Sequence, residues 1–202
     1  MESKRLETRL GPLAWRSSGQ GPTLVFFAGA LANGDLWRDV VVALEDRYRC
    51  ITIDLPLGAH RWPLSEGADR SATSLAGLLL DCLELLEVED ATAVANDTAG
   101  GLLLLSLDSG HPALGRVGRL VLTNCENYDK FPPPGALRNA AAVCRALPRL
   151  ARALLRLQLR SPAGRRKTIS AVAASGLDDE RALSFFGPAR RDPRVADDLV
   201  AA

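Results

Sequence analysis

The sequence predicts an α/β fold: a mostly parallel sheet with helices on both faces and a helical layer over one end. Three observations carry this prediction. Short apolar, β-branched runs alternate with stretches of helical spacing from Thr23 to Thr123. Those runs are nearly continuous in apolar character, as strands buried on both faces require. Beyond Phe131 the strand-like runs stop, and only helical patterns remain.

Leu6 to Leu10 and Leu13 to Ser17, separated by Gly11-Pro12, read as the two arms of an antiparallel hairpin. Thr23 to Ala28 is the first strand of buried character. Asp35 to Asp46 carries Leu36, Trp37, Val40, Val41 and Leu44 at helical spacing, and Cys50 to Leu55 is the second buried strand. Ser71 to Ser74 offers several N-cap candidates for an apolar helix through Leu75, Leu78, Leu79, Cys82, Leu85 and Leu86. Ala91 to Ala95 is a strand, Gly100 to Asp108 a helix ended by Gly110-His111-Pro112, and Arg119 to Thr123 a further strand. Ligands of such a sheet bind beyond the C-terminal ends of its strands.

Pro132-Pro133-Pro134-Gly135 then acts as a stiff hinge. Helices are expected over Ala136 to Leu147, Leu150 to Leu159, Arg165 to Ala174, Asp179 to Phe186 and Pro193 to Ala201, broken at Pro148, Ser161-Pro162, Ser175-Gly176 and Gly187-Pro188. This divides the chain into a core over residues 1–130 and a helical cap or lid over residues 131–202.

The 202 residues are 47% apolar and 24% charged, which suits a packed core. The 25 basic and 24 acidic side chains nearly cancel, so bulk charge draws neither nucleic acid nor an anionic membrane, and a small-molecule substrate is the expected partner. The basic stretch Arg160 to Lys167 reads as the polar surface of a helix and its connection. Met1 to Arg9 lacks the apolar core of a secretory signal, and no apolar run reaches the ~18 residues of a membrane span, so a cytoplasmic location is expected. Cys50, Cys82, Cys125 and Cys144 lie far apart, without the close pairs of a zinc site or a redox dithiol; no metal or cofactor is expected. Neither a dinucleotide nor a P-loop glycine spacing is present.

The segment that points to chemistry is Ala93-Val94-Ala95-Asn96-Asp97-Thr98-Ala99-Gly100-Gly101. A strand ends in a potential nucleophile, Asp97, flanked by small residues and followed at once by a helix. On so sharp a turn the residues two before and two after the nucleophile, Ala95 and Ala99, must be small to let strand and helix pass. The helix N-terminus then favours negative charge. An ordinary N-cap role is the competing reading of Asp97.

With this elbow, Phe27-Ala28-Gly29-Ala30 after the first buried strand, Asp54-Leu55-Pro56-Leu57-Gly58 after the second, and His111-Pro112 leading to Val117 to Leu122, the chain resembles the α/β-hydrolase superfamily, specifically its aspartate-nucleophile branch of haloalkane dehalogenases and epoxide hydrolases. The resemblance covers most of residues 5–135. It implies an α/β-hydrolase sheet with a helical cap, oxyanion donors at the backbone N–H groups of Thr98 and Ala30, and attack by Asp97 on an alkyl carbon or an epoxide to form an ester. It also implies a second half-reaction, in which a histidine oriented by an acid activates water. The acid position falls at Thr123-Asn124-Cys125-Glu126, with Asn124 nearest and Glu126 within reach from the loop.

Several positions depart from the pattern. Thr98 and Ala30 stand where dehalogenases bind halide, Ala28 stands where the superfamily carries its oxyanion-loop histidine, and Tyr48 and Tyr128 both lie outside the helical cap. The two histidines, His60 and His111, fall outside the base position, which the superfamily places after strands that this sequence does not contain. The sheet is therefore expected to lack its C-terminal part, leaving Arg119 to Thr123 as an exposed edge open to self-association. The expected activity is ester formation at Asp97 with little turnover. The alternative is a non-catalytic module of the same fold that binds a ligand or a protein.

Overall fold

The computed structural model describes residues 2–125, 136–172 and 177–202, which form six strands and eight α-helices. Strands β1 (Lys4–Thr8) and β2 (Gly11–Ser18) pair antiparallel with Thr8 opposite Gly11. The turn is therefore Arg9-Leu10, and Gly11-Pro12, expected to separate the arms, belongs to β2. Two features permit this. Gly11 has φ +130, a conformation that disfavours a Cβ. Pro12 lies before the Trp15–Ser18 stretch that pairs with the next strand, so its missing N–H costs no ladder bond on that side.

Strands β3 (Thr23–Phe27), β4 (Arg49–Ile53), β5 (Ala91–Asn96) and β6 (Val117–Thr123) complete a sheet of order β1-β2-β4-β3-β5-β6. β3 pairs parallel with both β4 and β5, and β5 parallel with β6. The chain leaves β3 toward one side for β4 and then crosses to the other side for β5. A crevice consequently opens at the C-terminal end of β3, the place where open α/β sheets bind ligands.

The alternating side chains of the parallel strands feed two cores. On one face Phe26, Cys50 and Val94 pack with Trp37 and with Val41 of α1 (Arg38–Leu44), the Phe26 and Trp37 rings lying 5.2 Å apart. On the other, Val25, Phe27, Ile51, Ile53, Ala93 and Ala95 meet α2 (Ala72–Leu85) and α3 (Thr98–Leu107). Each wholly buried Leu, Ile or Phe there stabilises the fold by roughly 1.5–3 kcal/mol relative to exposure. Ser71 caps α2 by accepting from Ser74 N–H at 3.2 Å. The helix expected over Asp35 to Asp46 begins instead as a tighter 3-10 turn, Gly34–Trp37, because Asn33 accepts from Asp35 N–H and Gly34 is wedged against Thr52 and Asp54.

The C-terminal segment is helical, as α4 (Ala136–Ala146), α5 (Pro148–Arg160), α6 (Pro162–Val172), α7 (Asp179–Arg191) and α8 (Pro193–Ala201). Leu159, Phe185, Phe186, Ala189, Val195 and Ala196 form a third core, packed on Ala59, Leu31, Ala32 and Leu36 in the loops that leave β4 and β3. The hinge expected at 132–135, and with it the boundary between core and cap, lies outside the described residues. Pro148 and Pro162 begin helices, where a missing N–H is harmless.

Gly187-Pro188, expected to end a helix, does not: α7 runs on to Arg191 with Pro188 inside it. A proline at that position leaves the Ser184 carbonyl, four residues earlier, without its helical donor. Asn33 Nδ2 supplies the replacement, donating to Ser184 O at 3.1 Å.

Candidate active site

Asp97 sits on the single-residue turn between β5 and α3, at φ 54 and ψ −136. Positive φ costs a non-glycine residue of order 1–3 kcal/mol and persists only where the surroundings enforce it. Here they do. Asn96 Nδ2 donates to Thr123 O at 2.9 Å, tying the end of β5 to the end of β6, and Gly100 N–H donates to Asp97 O at 2.9 Å. Ala95 and Ala99 are fully buried on either side of the turn. A Cβ on Gly100 would come within 2.5 Å of Cys125 Cβ, so the first turn of α3 can lie against the end of β6 only with glycine there.

The Asp97 side chain makes no capping hydrogen bond to α3. It turns instead toward the loop after β3, where Ala30 N–H donates to Oδ2 at 3.0 Å; Thr98 Oγ1 is 3.4 Å from the same oxygen. Gly29 makes this approach possible, since a Cβ there would lie 2.6 Å from Asp97 Cβ and 2.8 Å from Cγ. The loop is held by Leu31, itself at φ 59, whose N–H donates to Leu57 O at 2.8 Å. Among the described residues nothing donates to Asp97 Oδ1. The Thr98 N–H, first of α3, has no intrahelical acceptor by its position. One carboxylate oxygen is thus fixed by a backbone donor, while the other accepts from no described residue.

The other sequence-derived candidates fall in different places. Asn124 is exposed at φ 48, with no hydrogen bond to Asp97 among the described residues. Glu126 lies outside the described residues. His111 caps the turn before β6, with Nδ1 accepting from Ala113 N–H at 3.2 Å and Nε2 3.0 Å from Asp81 Oδ1, so both ring nitrogens are engaged. His60 is wholly buried, its Nε2 3.0 Å from Asp198 Oδ2 and its Nδ1 enclosed without a partner.

Two polar clusters near the strand ends escaped the sequence reading. In the first, Arg16 pairs with Asp35 and stands 3.3 Å from Asp54, while Gly34 N–H donates to Asp54 at 2.9 Å and Ser184 Oγ donates to Asp35. Burial pushes the Asp54 carboxyl above the usual carboxylate range despite Arg16 and Gly34. Burial acts the same way on Asp35, but hydrogen bonds from Ser184 and Arg16 outweigh it and hold that carboxyl low. In the second, Asp198 of α8 accepts from Leu64 N–H at 2.9 Å and from Arg70 Nε at 2.7 Å besides meeting His60. One signal was available for it: Asp198 interrupts the otherwise apolar face of α8.

Two clefts lie beside these clusters. One, of about 460 Å³, is lined by Arg16, Asn33, Asp54, Arg61, Ser184 and Arg191; the other, of about 550 Å³, by Leu64, Arg70, Arg152, Arg194 and Asp198 among others. Neither includes Asp97. Among the described residues no three His, Cys, Asp or Glu side chains are grouped to hold a metal ion, and no helix is long and apolar enough to cross a membrane.

No family model matches the sequence. Among curated proteins, it is 35% identical over 109 residues to a non-heme chloroperoxidase of Kitasatospora aureofaciens, covering 54% of this chain and 38% of that protein. It is 44% identical over 48 residues to a pimeloyl-[acyl-carrier protein] methyl ester esterase of Vibrio vulnificus, covering 24% of this chain and 19% of the esterase. The chain thus spans less than two fifths of the length of either. Among solved structures, an α/β hydrolase fold protein from Burkholderia ambifaria superposes with a TM-score of 0.72 at 22% identity, over 98% of this chain and 68% of its own. An epoxide-hydrolase-like protein from Pseudomonas aeruginosa superposes with a TM-score of 0.78 at 19% identity, over 99% of this chain and 68% of its own.

Proposed function

Because this chain has the α/β-hydrolase fold, we propose that Asp97 is a carboxylate nucleophile that attacks the alkyl carbon of a small, largely apolar electrophile, a haloalkane or an epoxide. The observation that carries the reading is the Ala30 N–H···Oδ2 bond on a turn at positive φ, in place of the cap bond an ordinary helix-start aspartate would make. Oδ1 forms the new C–O bond. The C–X or C–O bond opposite breaks, and its electron pair leaves as halide, or as an alkoxide that takes a proton from solvent. Carboxylate attack on an acyl carbon would give an anhydride instead, which favours alkyl electrophiles over carboxylic esters.

Clearing the alkyl ester requires water to attack the Asp97 carbonyl carbon. Oδ2 then becomes the oxyanion, with the Ala30 and Thr98 N–H groups as its donors. His111 is engaged through both nitrogens, and the free Nδ1 of His60 is enclosed in a wholly buried side chain out of reach of solvent, so neither is disposed to take the proton from that water. In the 202-residue chain the ester is therefore expected to accumulate. Helices α5, α7 and α8, with the third core beneath them, would form the lid.

Peptide mass spectrometry after incubation with a chloroalkane and epoxide panel tests this. An alkyl adduct on the Asp97 peptide, absent in Asp97→Asn, is the expected result. No adduct across a broad panel, with ligand-induced thermal stabilisation unchanged in Asp97→Ala, would support the non-catalytic binding module instead.

A further inference from the structure

We propose that the outer face of α4 and α5 docks onto an anionic lipid surface. Net charge over the whole chain hides a strong asymmetry. From residue 130 to residue 177 there are ten Arg and Lys and no Asp or Glu, in a chain whose net charge is only +1. The basic excess is concentrated in the helices α4 to α6, and the remainder of the chain is net acidic.

α5 is strongly amphipathic, yet the protein covers only half of its apolar face. Ala151, Leu155 and Leu159, four residues apart, form the row that packs inward with α7 and α8. Beside it runs a second row, Leu147, Leu150, Leu154 and Leu157, at 54, 49, 52 and 65% exposure, and Val143 extends it onto α4 at 41%. Spacings of four and three place Leu150, Leu154 and Leu157 side by side on α5, and Leu147 is the residue at its N-cap. A contiguous apolar row of this kind on a globular surface marks an interaction site.

The basic side chains say what covers it. Arg145, Arg149, Arg160 and Arg166 are exposed and form no ion pair with a described residue. Arg156 is taken by Asp197, and Arg165 donates to the Leu159 and Arg160 carbonyls at the end of α5. Leucines on one side of a helix and unpaired arginines on the other are the pattern of a helix lying in the plane of a membrane interface: the apolar row enters the acyl boundary while the guanidinium groups stay among anionic headgroups. A protein partner would be met by a row containing Trp, Tyr or Phe in a shaped pocket. This row has none, and a bilayer needs no shape complementarity. The docking does not depend on whether Asp97 reacts.

The test is flotation of the full chain with vesicles of phosphatidylglycerol and phosphatidylcholine in equal parts, against vesicles of phosphatidylcholine alone. Binding to the anionic vesicles is expected, weakening as salt rises from about 0.1 to about 0.5 M. Arg149→Gln with Arg160→Gln should reduce the partition coefficient about thirtyfold, since each basic residue near such a surface contributes about fivefold. Leu150→Gln, Leu154→Gln and Leu157→Gln together should abolish binding while leaving the melting temperature unchanged, because all three side chains are exposed. Absence of flotation, or flotation that the leucine variant retains, would overturn the proposal. A dimer in buffer that the leucine variant dissolves, without vesicle binding, would overturn it in favour of a second copy covering the face.

Discussion

Asn33→Ala tests the account of how α7 continues through a proline. Asn33 is buried, and the two hydrogens of its Nδ2 are shared among Ser184 O at 3.1 Å, Ser184 Oγ at 3.1 Å and Ala59 O at 3.3 Å, while its Oδ1 accepts from Asp35 N–H at 3.1 Å. At about 1 kcal/mol net per bond, with the part-buried Ser184 carbonyl left unpaired, the substitution should cost about 3 kcal/mol. For a chain of this size that lowers the melting temperature by roughly 6–12 °C. The sharper measurement is a double-mutant cycle with Pro188→Ala, followed by urea unfolding. Alanine at 188 restores the helical N–H that Ser184 O lacks, so the Asn33→Ala penalty should shrink by about 1.5 kcal/mol in that background. If the two substitutions are additive within about 0.5 kcal/mol, Asn33 is not the replacement donor and the reasoning fails.

Gly29→Ala should abolish Asp97 alkylation while the chain stays folded by circular dichroism, because the new methyl displaces the carboxylate from Ala30; undiminished labelling would contradict the geometry. Asp198→Asn should destabilise by about 3 kcal/mol through the loss of a buried partner for Arg70 and His60. Burial would raise the Asp198 carboxyl, but hydrogen bonds from His60, Leu64 N–H and Arg70 hold it below its ordinary value. Its contribution is therefore present above about pH 4 and is lost as pH falls through the lowered native value, so wild type and variant should converge in acid. Burial pushes the Cys82 and Cys50 thiols up, and native-state maleimide labelling should leave both unmodified until unfolding. Strand β6 exposes Val121 and Leu122 beside an edge that no described strand pairs; if that edge drives self-association, Val121→Lys should shift the sedimentation profile toward monomer.

The local chemistry of the strands was legible in the chain itself. Runs such as Thr23–Phe27 and Ala91–Asn96 must be buried on both faces to hide their side chains, and small residues around Asp97 leave few ways to join a strand directly to a helix. Features that depend on a distant partner were not legible. Pro188 reads as a helix breaker unless Asn33, 155 residues earlier, is known to lie beside Ser184. Asp198 reads as surface charge unless His60 and Arg70 are seen to meet it. Gly11-Pro12 reads as a turn until Thr8 and Glu7 of β1 are found opposite it, with β4 pairing only beyond it. Composition fixed the sum of the charges near zero, but only tertiary packing decided which of them stay unpaired and on which face. Composition counts charges without regard to position, whereas the potential at a surface depends on where each one lies.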